Sequence, residues 1–168
     1  MMKKGFSLLE ILVTATIIAL LVVASVPSFS KLEDRQKREN AVNLIVGCLL
    51  EAKAKALAPS DQNIDSYQAT VTEAGCQINS VTDGSVDSYG EYLINSGFTL
   101  KEVTTNKAEV VVNFSTDPPN AISAMAQDVG GAGLVGLSNA VFLQLTQTST
   151  GIISTILLNL ATGIVTHS

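Results

Sequence analysis

One apolar stretch governs what this chain of 168 residues can fold into: between residues 6 and 26, 16 of 21 side chains are apolar and a single one, Glu10, is charged. At 1.5 Å per residue that stretch makes a helix of roughly 31 Å, enough to cross a hydrocarbon core of about 30 Å. A helix apolar on every side needs lipid or other helices around it, because it has no polar face to turn to water. No second run of about 18 uncharged apolar residues follows, which excludes a polytopic membrane protein. Glu10 is the anomaly. A carboxylate inside a spanning helix costs about 2.5 to 3.5 kcal/mol on insertion scales, so it marks a function and calls for a cationic partner.

The residues in front of the stretch carry a resemblance. Lys3-Lys4-Gly5 followed by Phe6-Ser7-Leu8-Leu9-Glu10 resembles the class III signal of the type IV pilin and pseudopilin superfamily. The resemblance implies a basic leader (1–5, with Lys3 and Lys4), cleavage after Gly5 by a prepilin peptidase, and N-methylation of Phe6 by the same enzyme. It also implies that the Phe6 amine of one subunit neutralises Glu10 of a staggered neighbour, and that Pro27 falls where family members often carry a proline. Other pilin or pseudopilin subunits and an inner-membrane assembly platform are the implied partners. The implied location is the cytoplasmic membrane, crossed once with the C-terminal domain outside, and then a periplasmic or cell-surface filament. Two other readings stay open at this point. Val23-Ala24-Ser25 has the small-residue character of a secretory cleavage site, and the stretch could be a plain single-span anchor for an extracytoplasmic binding module.

Charge divides the chain as hydropathy does. Through residue 55 there are eight Lys or Arg against five Asp or Glu, whereas from residue 56 onward only Lys101 and Lys107 face ten carboxylates. An acidic domain argues against a nucleic-acid partner, since phosphate binding needs a clustered basic face.

After Pro27, Leu32, Ala41, Val42, Ile45, Cys48, Leu49, Ala52 and Ala56 recur mainly at spacings of three and four, which predicts an amphipathic continuation of the helix over 27–58. Proline cannot donate to the helical ladder, so a kink or loosening is expected at Pro27. Beyond Pro59-Ser60-Asp61, residues 59–168 read as a β domain, with strands expected at 67–73, 77–81, 91–94, 99–104, 109–114, 141–146, 153–158 and 164–166. Turns are expected at Asp83-Gly84, Asn95-Ser96-Gly97, Asp117-Pro118-Pro119-Asn120 and Ala161-Thr162-Gly163, and the Gly-rich stretch 129–136 is expected to be a loop. The expected fold class is α+β: a long N-terminal helix, half transmembrane and half amphipathic, on a mostly antiparallel sheet domain. The pilin superfamily shares this layout. Within it, Ala52-Lys53-Ala54-Lys55-Ala56 and the strand-turn-strand around Gly163 are similar to the GspH/FimT branch of minor pseudopilins and pilins. Some FimT-like pilins bind DNA through a basic tail, but residues 163–168 here hold no Arg or Lys.

Few other residues invite chemistry. Cys48 and Cys76 are the only cysteines; outside the cytoplasmic membrane they could join helix to hairpin, while Cys48 also suits an apolar face as a small hydrophobe. Asp83, Asp87 and Glu91 offer hard oxygen ligands for calcium, but their spacing is not that of an EF-hand, and a solvated acidic turn is their ordinary explanation. His167 is the only histidine and has no nucleophile or carboxylate near it in sequence. Neither a cofactor site nor a catalytic arrangement can be built from these residues, so the expected role is structural.

Overall fold

The computed structural model describes residues 7–94, 96–117, 121–128 and 132–168, with the side chains of 24–28 and 132–134 left aside. Its one described helix, α1, spans Leu8–Leu57. Ten strands follow: β1 (Ser66–Thr72), β2 (Gly75–Thr82), β3 (Ser85–Leu93), β4 (Phe98–Glu102), β5 (Glu109–Ser115), β6 (Ile122–Asp128), β7 (Ala132–Leu137), β8 (Ala140–Gln147), β9 (Ile153–Asn159) and β10 (Ile164–His167). The chain divides into two units, residues 1–36 and 37–168. The first contains the N-terminal part of α1. The second contains the remainder of the helix and every strand.

In the second unit the strands form two sheets, ordered β3-β2-β1-β5-β6-β7 and β10-β9-β8-β4. Every ladder is antiparallel. One face of each sheet and one stripe of α1 share a core. Ala41, Val42, Ile45, Cys48, Leu49, Ala52 and Ala56 supply the helical side. Tyr67, Ala69, Val71, Ile78, Val110, Val112 and Phe114 come from the larger sheet, and Leu100, Val141, Leu143, Leu145, Ile156 and Leu158 from the smaller. Small residues on the helix let its backbone lie close to the sheets, and alternation along the strands turns every second side chain inward. This is the α+β, pilin-like arrangement of a helix packed on antiparallel sheets.

Several expectations need correction. The Gly-rich stretch was expected to be a loop over 129–136, yet 132–137 is β7, paired with β6 through Ala124↔Leu137, Met125↔Gly136 and Ala126↔Val135; residues 129–131 lie outside the description. Strand β6 was not expected at all, and β3 begins six residues earlier than 91. Leu32 is 52% exposed and joins no core. Helix α1 continues through position 27, as a helix running on to about residue 57 requires.

Candidate functional site

The candidate site is the N-terminal part of α1. Ser7 opens it: its carbonyl accepts the N–H groups of Glu10 (3.0 Å) and Ile11 (3.3 Å). Glu10 lies in the first turn, where the free N–H groups and the helix dipole favour a negative charge. Its carboxylate makes no hydrogen bond or ion pair among the described residues. The two hydroxyls nearby are satisfied within the helix itself. Thr14 Oγ1 donates to the carbonyls of Glu10 and Ile11, both at 2.9 Å, and Thr16 Oγ1 donates to Leu12 at 2.8 Å. Such back-bonding lets a threonine sit in an apolar medium without a lost hydrogen bond. The carboxylate is therefore the one charged group among the described residues of this stretch, and it still needs a partner from outside.

Around it the surface is apolar on every side. Leu8, Leu9, Ile11, Leu12, Val13, Ile17, Ile18, Leu20, Leu21, Val22 and Val23 are all exposed. These positions cover the full circumference of a helix, so no single stripe could bury them on a globular core. The fully described run from Leu8 to Val23 measures about 24 Å. Among the described residues no helix is long and apolar enough to cross a membrane.

The remaining sequence-selected residues are placed as follows. Lys3, Lys4, Gly5 and Phe6 lie outside the described residues. Cys48 of α1 and Cys76 of β2 are joined by a disulfide, with Cα atoms 6.3 Å apart. Asp83 occupies the β2–β3 turn at φ +50°, and its N–H donates to Asp65 Oδ2 at 2.8 Å. Asp87 and Glu91 stand along β3 opposite Ser80 and Gln77 rather than converging with Asp83. Among the described residues no group of three or more His, Cys, Asp or Glu side chains could hold a metal ion. His167 lines an open cleft of about 340 Å³ with Arg38, Asn43 and Ser154.

Three features escaped the sequence reading. Lys53 Nζ donates to the carbonyls of Thr162 (3.0 Å) and Gly163 (3.1 Å), clamping the β9–β10 turn to the helix. The Glu102 carboxylate is fully buried at the end of β4, where its Oε2 accepts the N–H (2.6 Å) and hydroxyl (2.8 Å) of Thr105. Burial pushes its pKa up, but the N–H and hydroxyl donors of Thr105 and Thr104 outweigh that, and it ends below the usual carboxylate value. Around β3, Lys55 Nζ lies 3.9 Å over the Tyr89 ring, that ring meets Tyr67 edge-on at 5.9 Å, and Tyr92 donates its hydroxyl to Glu51. The hydrogen bond to Glu51, with burial, raises the Tyr92 phenol. A bulge between Ile78 and Asn79 leaves Tyr89 without a cross-strand partner, and no sequence pattern announces such an insertion.

An α+β domain, and a helix whose N-terminal stretch is apolar all round with one carboxylate in its first turn, make a pilin-like arrangement. The family comparison agrees: the prokaryotic N-terminal methylation motif matches residues 1–26. That match supports a type IV pilin or pseudopilin and marks a prepilin-like substrate for peptidase cleavage and methylation. It points to a membrane-anchored structural subunit that assembles with other pilin subunits. No curated protein and no solved structure matches the chain.

Proposed function

We propose that the chain is a minor subunit of a type IV pilus-like or type II secretion-like filament. Prepilin peptidase cuts after Gly5 and methylates Phe6; residues 6–26 hold the subunit in the cytoplasmic membrane with residues 59–168 outside, and the assembly platform then extracts it into the filament. The supporting observation is the unpacked apolar helix whose single charge has no partner within the described chain. Hydrophobic packing against neighbouring helices supplies cohesion. The Phe6 amine, with an ordinary pKa of about 7.7 to 8.0, supplies the cation that Glu10 lacks. Such a buried pair also fixes subunit register, as buried polar pairs do in some coiled coils.

Mass spectrometry of the mature N-terminus tests this reading. A chain beginning at N-methyl-Phe6 is expected. An intact Met1, or a start near Val26, sinks it in favour of a single-span anchored binding module or a secreted protein.

A further inference from the structure

Beyond residue 55 the chain has two cations, Lys101 and Lys107, among ten carboxylates. Lys107 is paired with Asp128 at 2.7 Å. Lys101 forms no side-chain hydrogen bond or ion pair among the described residues. It stands on β4, whose side chains alternate buried and exposed, and it points away from the core. The strand register gives it polar neighbours on one side, Thr99 and Thr146, and apolar ones on the other. Lys101 lies opposite Gln144, and the Val103 N–H donates to the Phe142 carbonyl at 2.9 Å, which sets Val103 beside Phe142. Phe142 in turn lies opposite Leu157. Lys101, Gln144, Val103, Phe142 and Leu157 share the outer face on this side of the four-stranded sheet, and Lys101 sits diagonal to Phe142, about 7 to 8 Å away. Phe98 and Phe114 are buried, whereas Phe142 is 41% exposed and Val103 48%.

A lysine on an edge strand ordinarily guards that edge against further pairing. That role does not call for an exposed aromatic ring and two aliphatic neighbours on the same face. A cation at the margin of an apolar patch, on a domain otherwise rich in carboxylates, fits an acidic and apolar partner.

This chain carries such a surface elsewhere. β3 is an edge strand of the six-stranded sheet, and on its outward side Glu91 is followed two residues later by Leu93, 65% exposed, with Val86 (56%) further along. Glu91 has no side-chain partner among the described residues. Charge and apolar group recur at the same two-residue interval in Glu91/Leu93, about 6.8 Å apart along β3, and in Lys101/Val103, where Val103 directly follows the end of β4. We infer that the Lys101–Val103–Phe142 face of one subunit receives the Glu91–Leu93 edge of a second copy. The two patches differ, so the contact is heterologous and propagates from copy to copy instead of closing on a two-fold axis. The inference rests on the filament reading, since propagation is what a filament needs.

The test uses the full chain in detergent, where the Cys48–Cys76 bond leaves introduced cysteines as the only thiols. A chain carrying both Val103→Cys and Leu93→Cys is expected to give a ladder of multimers with a short bismaleimide, while each single variant stays monomeric. Lys101→Glu in that background should reduce the ladder at least tenfold, and adding Glu91→Lys should restore it. A missing ladder, a ladder indifferent to Lys101→Glu, or a dimer formed by a single-cysteine variant overturns the contact. The N-terminus of the same sample separates the two ideas. N-methyl-Phe6 without a ladder overturns the contact alone, whereas a ladder from a chain with an intact Met1 overturns the filament reading and supports the contact.

Discussion

Lys53 and Gly163 meet where the β9–β10 turn is held to the helix: the lysine's Nζ donates to the Gly163 carbonyl at 3.1 Å, and a Cβ built on that glycine would come within 2.7 Å of the same Nζ. The same Cβ would meet Ile122 Cδ1 at 2.7 Å, and Gly163 has φ +62°. Gly163→Ala should therefore destabilise the domain by about 1 to 3 kcal/mol, chiefly through left-handed strain, with a smaller cost for moving the ends of Lys53 and Ile122 out of the crowded space. Lys53→Met, which keeps the aliphatic stem and loses the donor, should cost about 1 kcal/mol. Urea unfolding of the two variants checks both values, and a Gly163→Ala chain as stable as the parent would refute the crowding.

The disulfide closes a separation of 28 residues. Unfolded but unreduced protein should show no free thiol. Replacing both Cys48 and Cys76 by Ala should lower stability by about 2 to 4 kcal/mol. Thiol titration in denaturant, followed by chemical unfolding of the double variant, measures each.

Glu102 should make stability depend on acid. Its folded-state carboxyl titrates below its unfolded value, so its contribution is present above the unfolded value and lost as pH falls through the folded one. Glu102→Gln should be less stable than the parent at neutral pH by about 1 to 3 kcal/mol. That gap should narrow steadily as the solution is acidified through the carboxylate range. A gap that stays constant with pH would contradict the role given to the Thr105 donors.

At the alkaline end Tyr92 should act in the opposite sense. The hydrogen bond to Glu51 raises its phenol, so the associated stability is present below the unfolded phenol value and lost as pH rises through the folded one. In a spectrophotometric titration Tyr92→Phe should remove a late-titrating phenol. Glu51→Gln should return that phenol toward its ordinary range.

Glu10→Val tests assembly apart from insertion. Removing the carboxylate takes away an insertion cost of about 2.5 to 3.5 kcal/mol, so the variant should reach the membrane fraction at least as well as the parent. It should nevertheless disappear from sheared filaments. Normal incorporation would show that register does not depend on this charge.

The parts of the fold legible in the sequence are those where periodicity and burial coincide. The stripe from Ala41 to Ala56 reads as one helix face because each member is buried, and β5 reads as a strand because Val110, Val112 and Phe114 alternate inward. β6 was illegible because its inward residues are the small Ala124 and Ala126 while the larger Met125 points out, which blurs an alternation normally carried by bulky groups. β7 interleaves Ala132, Gly133 and Gly136 with Leu134, Val135 and Leu137, and its pairing with β6 overrides the weak strand preference of the glycines and alanine. β3 is a polar edge with no buried face, so its first six residues resemble a turn. At the candidate site, Glu10 stood out because it breaks a uniform pattern. Lys53, Glu102 and Lys101 did not, because their meaning lies in partners or neighbours distant in sequence.

Two of the attachments between the helix and the sheets, beyond the shared core, differ in mechanical kind. Cys48 binds α1 to β2 of the larger sheet covalently, while five residues further along Lys53 reaches the β9–β10 turn of the smaller sheet through two hydrogen bonds. Tension drawn along the last turns of α1 therefore enters one sheet through a link that does not yield and the other through a link that slips. Under load the β9–β10 turn gives way first and the larger sheet stays tethered, so a stretched subunit is left with a defined point of return.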